Sequence, residues 1–260
     1  MHLRIQSAIL GLALLILAAC AAPAPSPDGA RVETPAALTF TDPPGPGLDF
    51  PDYRAVAEAS AGIYVRVRIV AEEERGGGPS NVLNFASGFI ADGRGYVVTA
   101  AHIANATKFK AEVITLDGRR YHGRVVAVER GRELGLIKIN PFPDMPVARF
   151  ADSAELSAGE PALAIGTPAH HGGIVSVGRI IEPRLARRIH YNDYGYDNAI
   201  ALAMAVEPGH SGGPLVDGRG RVIGMIASFL LGKGGSNAPH VALAVPSNDI
   251  AAFLKAHEGE

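Results

Sequence analysis

The chain has 260 residues, 47% of them hydrophobic and 19% charged, with 31 glycines, 19 prolines and a formal net charge of -2 at pH 7. That is too apolar for a disordered protein and lacks the cationic excess of a nucleic-acid-binding surface, so no nucleic acid is expected as a partner. Glycine and proline scattered between short apolar runs favour an all-β architecture over a helical bundle.

The N-terminus reads as a targeting segment. Arg4 precedes an unbroken run of Ala, Ile, Leu and Gly from Ala8 to Ala19, shorter than the roughly 20 residues that span a bilayer. The run ends in Leu17-Ala18-Ala19-Cys20, which resembles the lipobox of bacterial lipoprotein signal peptides. The resemblance implies removal of residues 1–19, lipidation of Cys20 and a membrane anchor. Ala21 stands where some members carry a retention Asp, which points to the outer membrane, facing the periplasm. An ordinary secretory signal with an incidental cysteine is the other reading. Cys20 is the only cysteine in the chain, so no intramolecular disulfide competes for it.

From Cys20 to Pro51 the sequence is rich in Pro, Ala, Gly, Ser and Asp and has no periodic apolar face, as in a semi-extended tether. Its last residues, around Leu48 and Phe50, are candidates to lie on the folded part. That part is expected over 52–257. A short helix over Tyr53 to Ala59 opens it, and then Ile63, Val65, Val67 and Ile69 alternate with Tyr64, Arg66 and Arg68 as in a strand. Further strands are expected over Val82 to Ile90, Tyr96 to Thr99, Lys110 to Leu116, Tyr121 to Val128 and Leu134 to Ile139. Asp92-Gly93 and Asp117-Gly118 supply turns between them. These six strands suffice for one antiparallel barrel, at about 60–145. After the Pro-rich stretch Asn140 to Pro146, a second set runs over Ala162 to Ile165, Ile174 to Glu182, Ala199 to Val206, Pro214 to Val216, Val222 to Phe229 and Val241 to Val245. It makes a second barrel at about 155–246. A terminal helix at 247–257 buries Ile250, Phe253 and Leu254, with Ser247 or Asn248 as its cap.

Two short stretches carry chemistry. Gly209-His210-Ser211-Gly212-Gly213-Pro214-Leu215 sets a serine among glycines. A serine hydroxyl attacks only when a base takes its proton and donors await the oxyanion, and glycines let the backbone turn tightly enough to supply those donors. Upstream, Val97-Val98-Thr99-Ala100-Ala101-His102 places a histidine at the end of a strand. Both elements, in this order, resemble the trypsin-like, chymotrypsin-fold serine proteases of the HtrA-related kind. The resemblance implies His102 as base, Ser211 as nucleophile, and the amides of Gly209 and Ser211 as oxyanion hole. In that family the acid opens the pattern Asp-hydrophobic-Ala-hydrophobic-hydrophobic. The matching stretch here is Glu133-Leu134-Gly135-Leu136-Ile137, so Glu133 stands where Asp is expected and activity could be reduced.

The resemblance extends to Ala151-Asp152-Ser153 and Ala164-Ile165-Gly166-Thr167-Pro168 at the entry of the second barrel, and to Ala244-Val245-Pro246-Ser247-Asn248 at its exit. No PDZ domain, which members often carry, is expected after Glu260. Val206, His210, Ala227 and Ser228 are expected to border the substrate, His210 on the S1′ side. No Asp appears where a pocket would select Arg or Lys, so a small apolar P1 residue is expected. His170 and His171 lack a third ligand at zinc spacing, Gly76-Gly77-Gly78 lacks the rest of a phosphate loop, and Glu72-Glu73-Glu74 reads as a solvated face, so no metal or cofactor is expected. The function read from these residues is a tethered serine endopeptidase of exported polypeptides, with trimerisation or another homo-oligomer as an open possibility. Its rival is an inactive double barrel that binds polypeptides in the envelope. An esterase shares the acyl-enzyme, and Gly209-His210-Ser211-Gly212-Gly213 fits the letters of a Gly-x-Ser-x-Gly elbow, but the Pro214 that follows and the few helices between the strands favour the protease.

Overall fold

The computed structural model describes residues 33, 35–41, 50, 52–70, 82–168, 173–230 and 241–260. The expected signal segment, Cys20, the runs at Glu72 to Glu74 and Gly76 to Gly78, and His170 with His171 lie outside the described residues. A two-residue strand, β1 (Thr39–Phe40), comes first, then a helix, α1 (Tyr53–Ser60). Next come β2 (Tyr64–Val70), β3 (Val82–Ile90), β4 (Tyr96–Ala100), a four-residue helix α2 (Ala101–Ala104), β5 (Lys110–Thr115), β6 (Arg120–Glu129) and β7 (Leu134–Ile139). The six strands β2 to β7 close into an antiparallel barrel in the order β2-β3-β4-β7-β6-β5.

The second half contains β8 (Pro161–Gly166), β9 (Ile174–Glu182), β10 (Ile189–Tyr191), β11 (Tyr194–Tyr196), β12 (Ile200–Ala203), β13 (Pro214–Asp217), β14 (Val222–Leu230), β15 (Val241–Pro246) and the helix α3 (Ser247–Ala256). Strands run β9-β12-β15-β14-β13-β8, and β8 pairs back onto β9, closing a second antiparallel barrel. The period-two reading of β2 holds: Val65, Val67 and Ile69 are fully buried, while Arg66 and Arg68 leave the interior for ion pairs. One buried apolar cluster runs from Val67, Val97 and Leu136 in the first barrel to Val175, Val216 and Val245 in the second, so the barrels share a core. Among the described residues no helix is long and apolar enough to cross a membrane.

Three features differ from expectation. The free tether expected to Pro51 is already docked at Glu33. The Glu33 amide donates to Gly118 O at 2.8 Å, Ala36 N donates to Leu116 O at 2.9 Å, and β1 adds in parallel to β9, Thr39 opposite Ile174. The anchor is electrostatic: the Glu33 carboxylate lies 2.8 Å from both Arg66 and Arg68 and 2.6 Å from Arg120. Burial opposes its ionisation, but the Arg120 hydrogen bond and the charges of Arg68, Arg66 and Arg120 outweigh it and hold the carboxyl below its usual range. Second, neither Ser247 nor Asn248 caps α3. Pro246 occupies that position, and Ser247 Oγ donates instead to Ala151 O at 2.6 Å, pinning the helix to the entry of the second barrel. Third, the strand expected over Ala199 to Val206 ends at Ala203, and the hairpin β10–β11 precedes it.

Candidate active site

His102 is presented by α2 directly after β4, whose Val97 and Val98 are fully buried. The side-chain amide of Asn84 donates to the carbonyls of His102 (3.4 Å) and Ile103 (3.1 Å), satisfying acceptors that so short a helix leaves open. Gly135 lets the helix lie close to β7, since a Cβ there would come within 2.5 Å of Ala104 Cβ.

Glu133 sits between β6 and β7 with a left-handed φ of 58° and a fully buried side chain. Its Oε1 accepts a short hydrogen bond from His102 Nδ1 and a second from the His102 backbone N–H at 3.3 Å. The Ala101 amide donates to Glu133 O at 3.2 Å, so α2 and the acid are fastened to each other through backbone as well as side chain. With Nδ1–H committed to the carboxylate, Nε2 is the imidazole nitrogen left to act as a base.

Ser211 comes from the turn between β12 and β13. Gly209 (φ 106°) and Gly212 (φ 84°) both require the left-handed region, and both are pressed against neighbours: added Cβ atoms would lie 2.3 Å from Thr167 O and 2.1 Å from Ser87 O. The turn is thereby stapled to the first barrel. Ser87 N donates to Ser211 O (3.1 Å), Ser87 Oγ donates to Gly209 O (2.7 Å), and Thr99 Oγ1 donates to Ser87 O (2.7 Å). Among the described residues the amides of Gly209 and Ser211 donate to no acceptor, which leaves two N–H groups beside the serine. Ser211 and His102 line one cavity of about 360 Å³. Ser211 Oγ is turned toward Ala227 O at 3.5 Å, and no hydrogen bond to His102 joins them.

Ala227 and Ser228 line the same cavity, along with Tyr191 and Leu243. Val206 and His210 do not. Val206 is buried among Ile180, Leu202 and Met204. His210 corrects the S1′ expectation: only 2% exposed, its ring lies against Gly166, where a Cβ would meet it at 2.6 Å, with Nε2 3.2 Å from Ser176 Oγ. Its Nδ1 lies 3.2 Å from the backbone of Glu207. Burial pushes the His210 pKa down, partly offset by the Glu207 carbonyl and charge.

Sequence reasoning missed Ser87, Tyr191 and Tyr194. The rings of Tyr191 and Tyr194 both meet His102 edge-on, at centroid distances of 6.1 Å. The signal for their hairpin was present as Asn192-Asp193 between aromatic residues, with Asn192 at φ 48°. Nothing local marked Ser87.

Residues 86–225, which include all three of His102, Glu133 and Ser211, match the trypsin-like peptidase domain. The chain belongs to the trypsin-like peptidase family. Among its relatives, the periplasmic serine endoprotease DegP of Escherichia coli is 33% identical over 175 residues, covering 66% of this chain and 35% of that protein. A probable DegP-like periplasmic endoprotease of Chlamydia trachomatis is 34% identical over 161 residues, 62% of this chain and 31% of that protein. The putative serine protease HhoA of Synechocystis is 31% identical over 210 residues, 80% of this chain and 49% of that protein. The chain thus spans 31% to 49% of the length of these relatives. The solved HtrA-type protease AlgW with a tripeptide shares the fold, with a TM-score of 0.68 at 24% identity over 81% of this chain and 65% of that one.

Proposed function

We propose that this member of the trypsin-like peptidase family is a serine endopeptidase working through an acyl-enzyme. The observation that carries the reading is the buried Glu133 carboxylate bonded to His102 Nδ1, with Nε2 left to serve a serine in the same cavity. In this reading His102 takes the Ser211 hydroxyl proton as Oγ bonds to the scissile carbonyl carbon. The amides of Gly209 and Ser211 receive the oxyanion. His102 returns the proton to the leaving amine as the C–N bond breaks, and water releases the acyl group by the same route. Glu133 holds the tautomer and offsets the imidazolium charge.

The substrate is an extended polypeptide. Beyond Ile226, which still exchanges hydrogen bonds with Gly212 and Gly213, β14 keeps β15 on one side while its other edge faces the cavity through Ala227 and Ser228. A peptide strand adding to that edge would place P1 against Ala227, Ser228 and Leu243. Ser228 Oγ is tied to Tyr196 O–H at 2.8 Å, and among the described residues no carboxylate lines this space, so a small apolar P1 residue fits. The periplasmic relatives and the lipobox-like Cys20 support an exported protein, held by lipid at the outer membrane and acting on envelope polypeptides. A homo-oligomer is compatible with this reading.

The test is labelling of the full chain with a fluorophosphonate. Labelling that is lost in Ser211→Ala and His102→Ala is the expected result. A folded protein that stays unlabelled across pH would instead make the double barrel a polypeptide-binding module.

A further inference from the structure

Glu133 is unevenly served. Oε1 accepts two hydrogen bonds from His102, whereas Oε2 is buried with no hydrogen-bond partner among the described residues. An ionised oxygen removed from water without a donor destabilises the state that contains it. Close by, the hydroxyl of Tyr191 lies 3.4 Å from His102 Nδ1. That nitrogen spends its single proton on Glu133 and so cannot accept one from the phenol. A carboxylate can only accept. Among the described residues the acceptor left for the phenolic proton in this corner is the Glu133 carboxylate, which lies near enough to act on the Tyr191 hydroxyl.

The hairpin that carries Tyr191 is locked to the loop that carries Glu133. Gly195 N donates to Arg130 O (2.9 Å), Arg188 donates to Gly131 O (2.7 Å), and the Arg130 guanidinium lies over the Tyr194 ring at 5.2 Å. Burial, and then the charge of Glu133, push the ionisation of Tyr191 up, so the phenol remains a donor throughout the working pH range.

We propose that Tyr191 is a positioning residue of the catalytic group: its hydroxyl donates to the free oxygen of Glu133 and holds the longer acid in line with His102. The proposal rests on the peptidase reading for its catalytic meaning and on geometry for its existence, and the two are tested separately. The acid comes from one barrel and its orienting hydroxyl from the other, so a side chain longer than Asp is fixed at both oxygens.

The first experiment follows the His102 ring by nitrogen NMR in the full chain. Among the described residues the titratable and charged groups around this ring are Glu133, Tyr191, Tyr194 and His190, with Tyr196 and Arg130 behind them. Tyr191→Phe relieves the carboxylate of a donor and strengthens its hold on the imidazolium, so the His102 midpoint should rise by about half a pH unit or more. Replacing Tyr191 with 3-fluorotyrosine, a stronger donor, should move it down. Glu133→Gln should abolish both effects. A midpoint indifferent to both changes at 191 overturns the proposal.

The second experiment measures fluorophosphonate labelling. In Tyr191→Phe the maximal rate should fall roughly tenfold with probe affinity unchanged, and its acidic limb should follow the NMR midpoint upward. A parent chain that is not labelled, but whose His102 midpoint responds to residue 191, would keep the positioning role and sink the peptidase reading. Normal labelling with an unresponsive midpoint would do the reverse.

Discussion

At Glu133 a carboxylate one methylene longer than the family's Asp is accommodated by a left-handed backbone and full burial. Removing it leaves His102 without tautomer control, so Glu133→Ala should slow fluorophosphonate labelling by about 10³- to 10⁴-fold. Glu133→Asp should retain or raise the rate, because Asp tolerates the left-handed region better and preserves the charge. An unchanged rate in Glu133→Ala would remove this residue from the mechanism. His210 makes the opposite kind of contribution, packed neutral against Gly166. Its folded pKa lies below the unfolded value of 6.5, so its stabilising effect is complete above about pH 6.5 and is lost as pH falls toward the folded pKa. Melting temperatures should therefore drop between pH 7.5 and 5.5, and His210→Asn should flatten that part of the curve. Ser211 and His102 were legible in the sequence because each lies in a short motif whose local backbone builds its setting. The side of the turn that His210 faces was not, since nearness to Ser211 in sequence says nothing of direction. Tyr191 was hidden for a different reason: it meets His102 across 89 positions of chain.

Elements with a hydrophobic period were read closely from sequence. β3, β7 and β9 occupy the spans expected of them, because alternation against a closed core leaves a strand little freedom of register. Elements held by backbone pairing or by charge were not readable in this way. β1 has two residues and no period, and its attachment depends on Glu33 meeting three arginines that lie far along the chain. Glu33→Ala should destabilise the protein by about 1–3 kcal/mol in chemical denaturation at pH 7, since among the described residues Arg68 and Arg120 would keep only Glu112 as an ion-pair partner and Arg66 would keep none. The sign in acid follows from the lowered folded pKa: the contribution is present above the unfolded value of 4.5 and is lost as pH falls through the folded one. A denaturation curve for Glu33→Ala that matches the parent at pH 7 but differs at pH 3 would contradict this account.

Across the whole molecule, His102 and Glu133 come from the first barrel and Ser211 from the second, so the geometry of the proposed catalytic group depends on how the barrels meet. Ser87 is the joint, fully buried and bonded to both Ser211 and Gly209. Ser87→Ala keeps its backbone bond but loses the hydroxyl that holds the Gly209 carbonyl. It should cost about 1 kcal/mol of stability and lower the acylation rate by more than that loss accounts for. Gly212→Ala forces a methyl into Ser87 O and should abolish labelling at temperatures where the fold persists by circular dichroism.

The docked segment at Glu33 and β1 also sets how load enters the protein. The chain touches the first barrel at Gly118 and Leu116, then the second at Gly173 and Val175, before it reaches α1. Tension drawn through residues upstream of Glu33 is met first by a cluster of ion pairs on the barrel that carries His102, and only afterwards by the hydrogen bonds on β9. The segment therefore spans both barrels, and a pull from upstream of Glu33 would have to break these contacts before it reached α1.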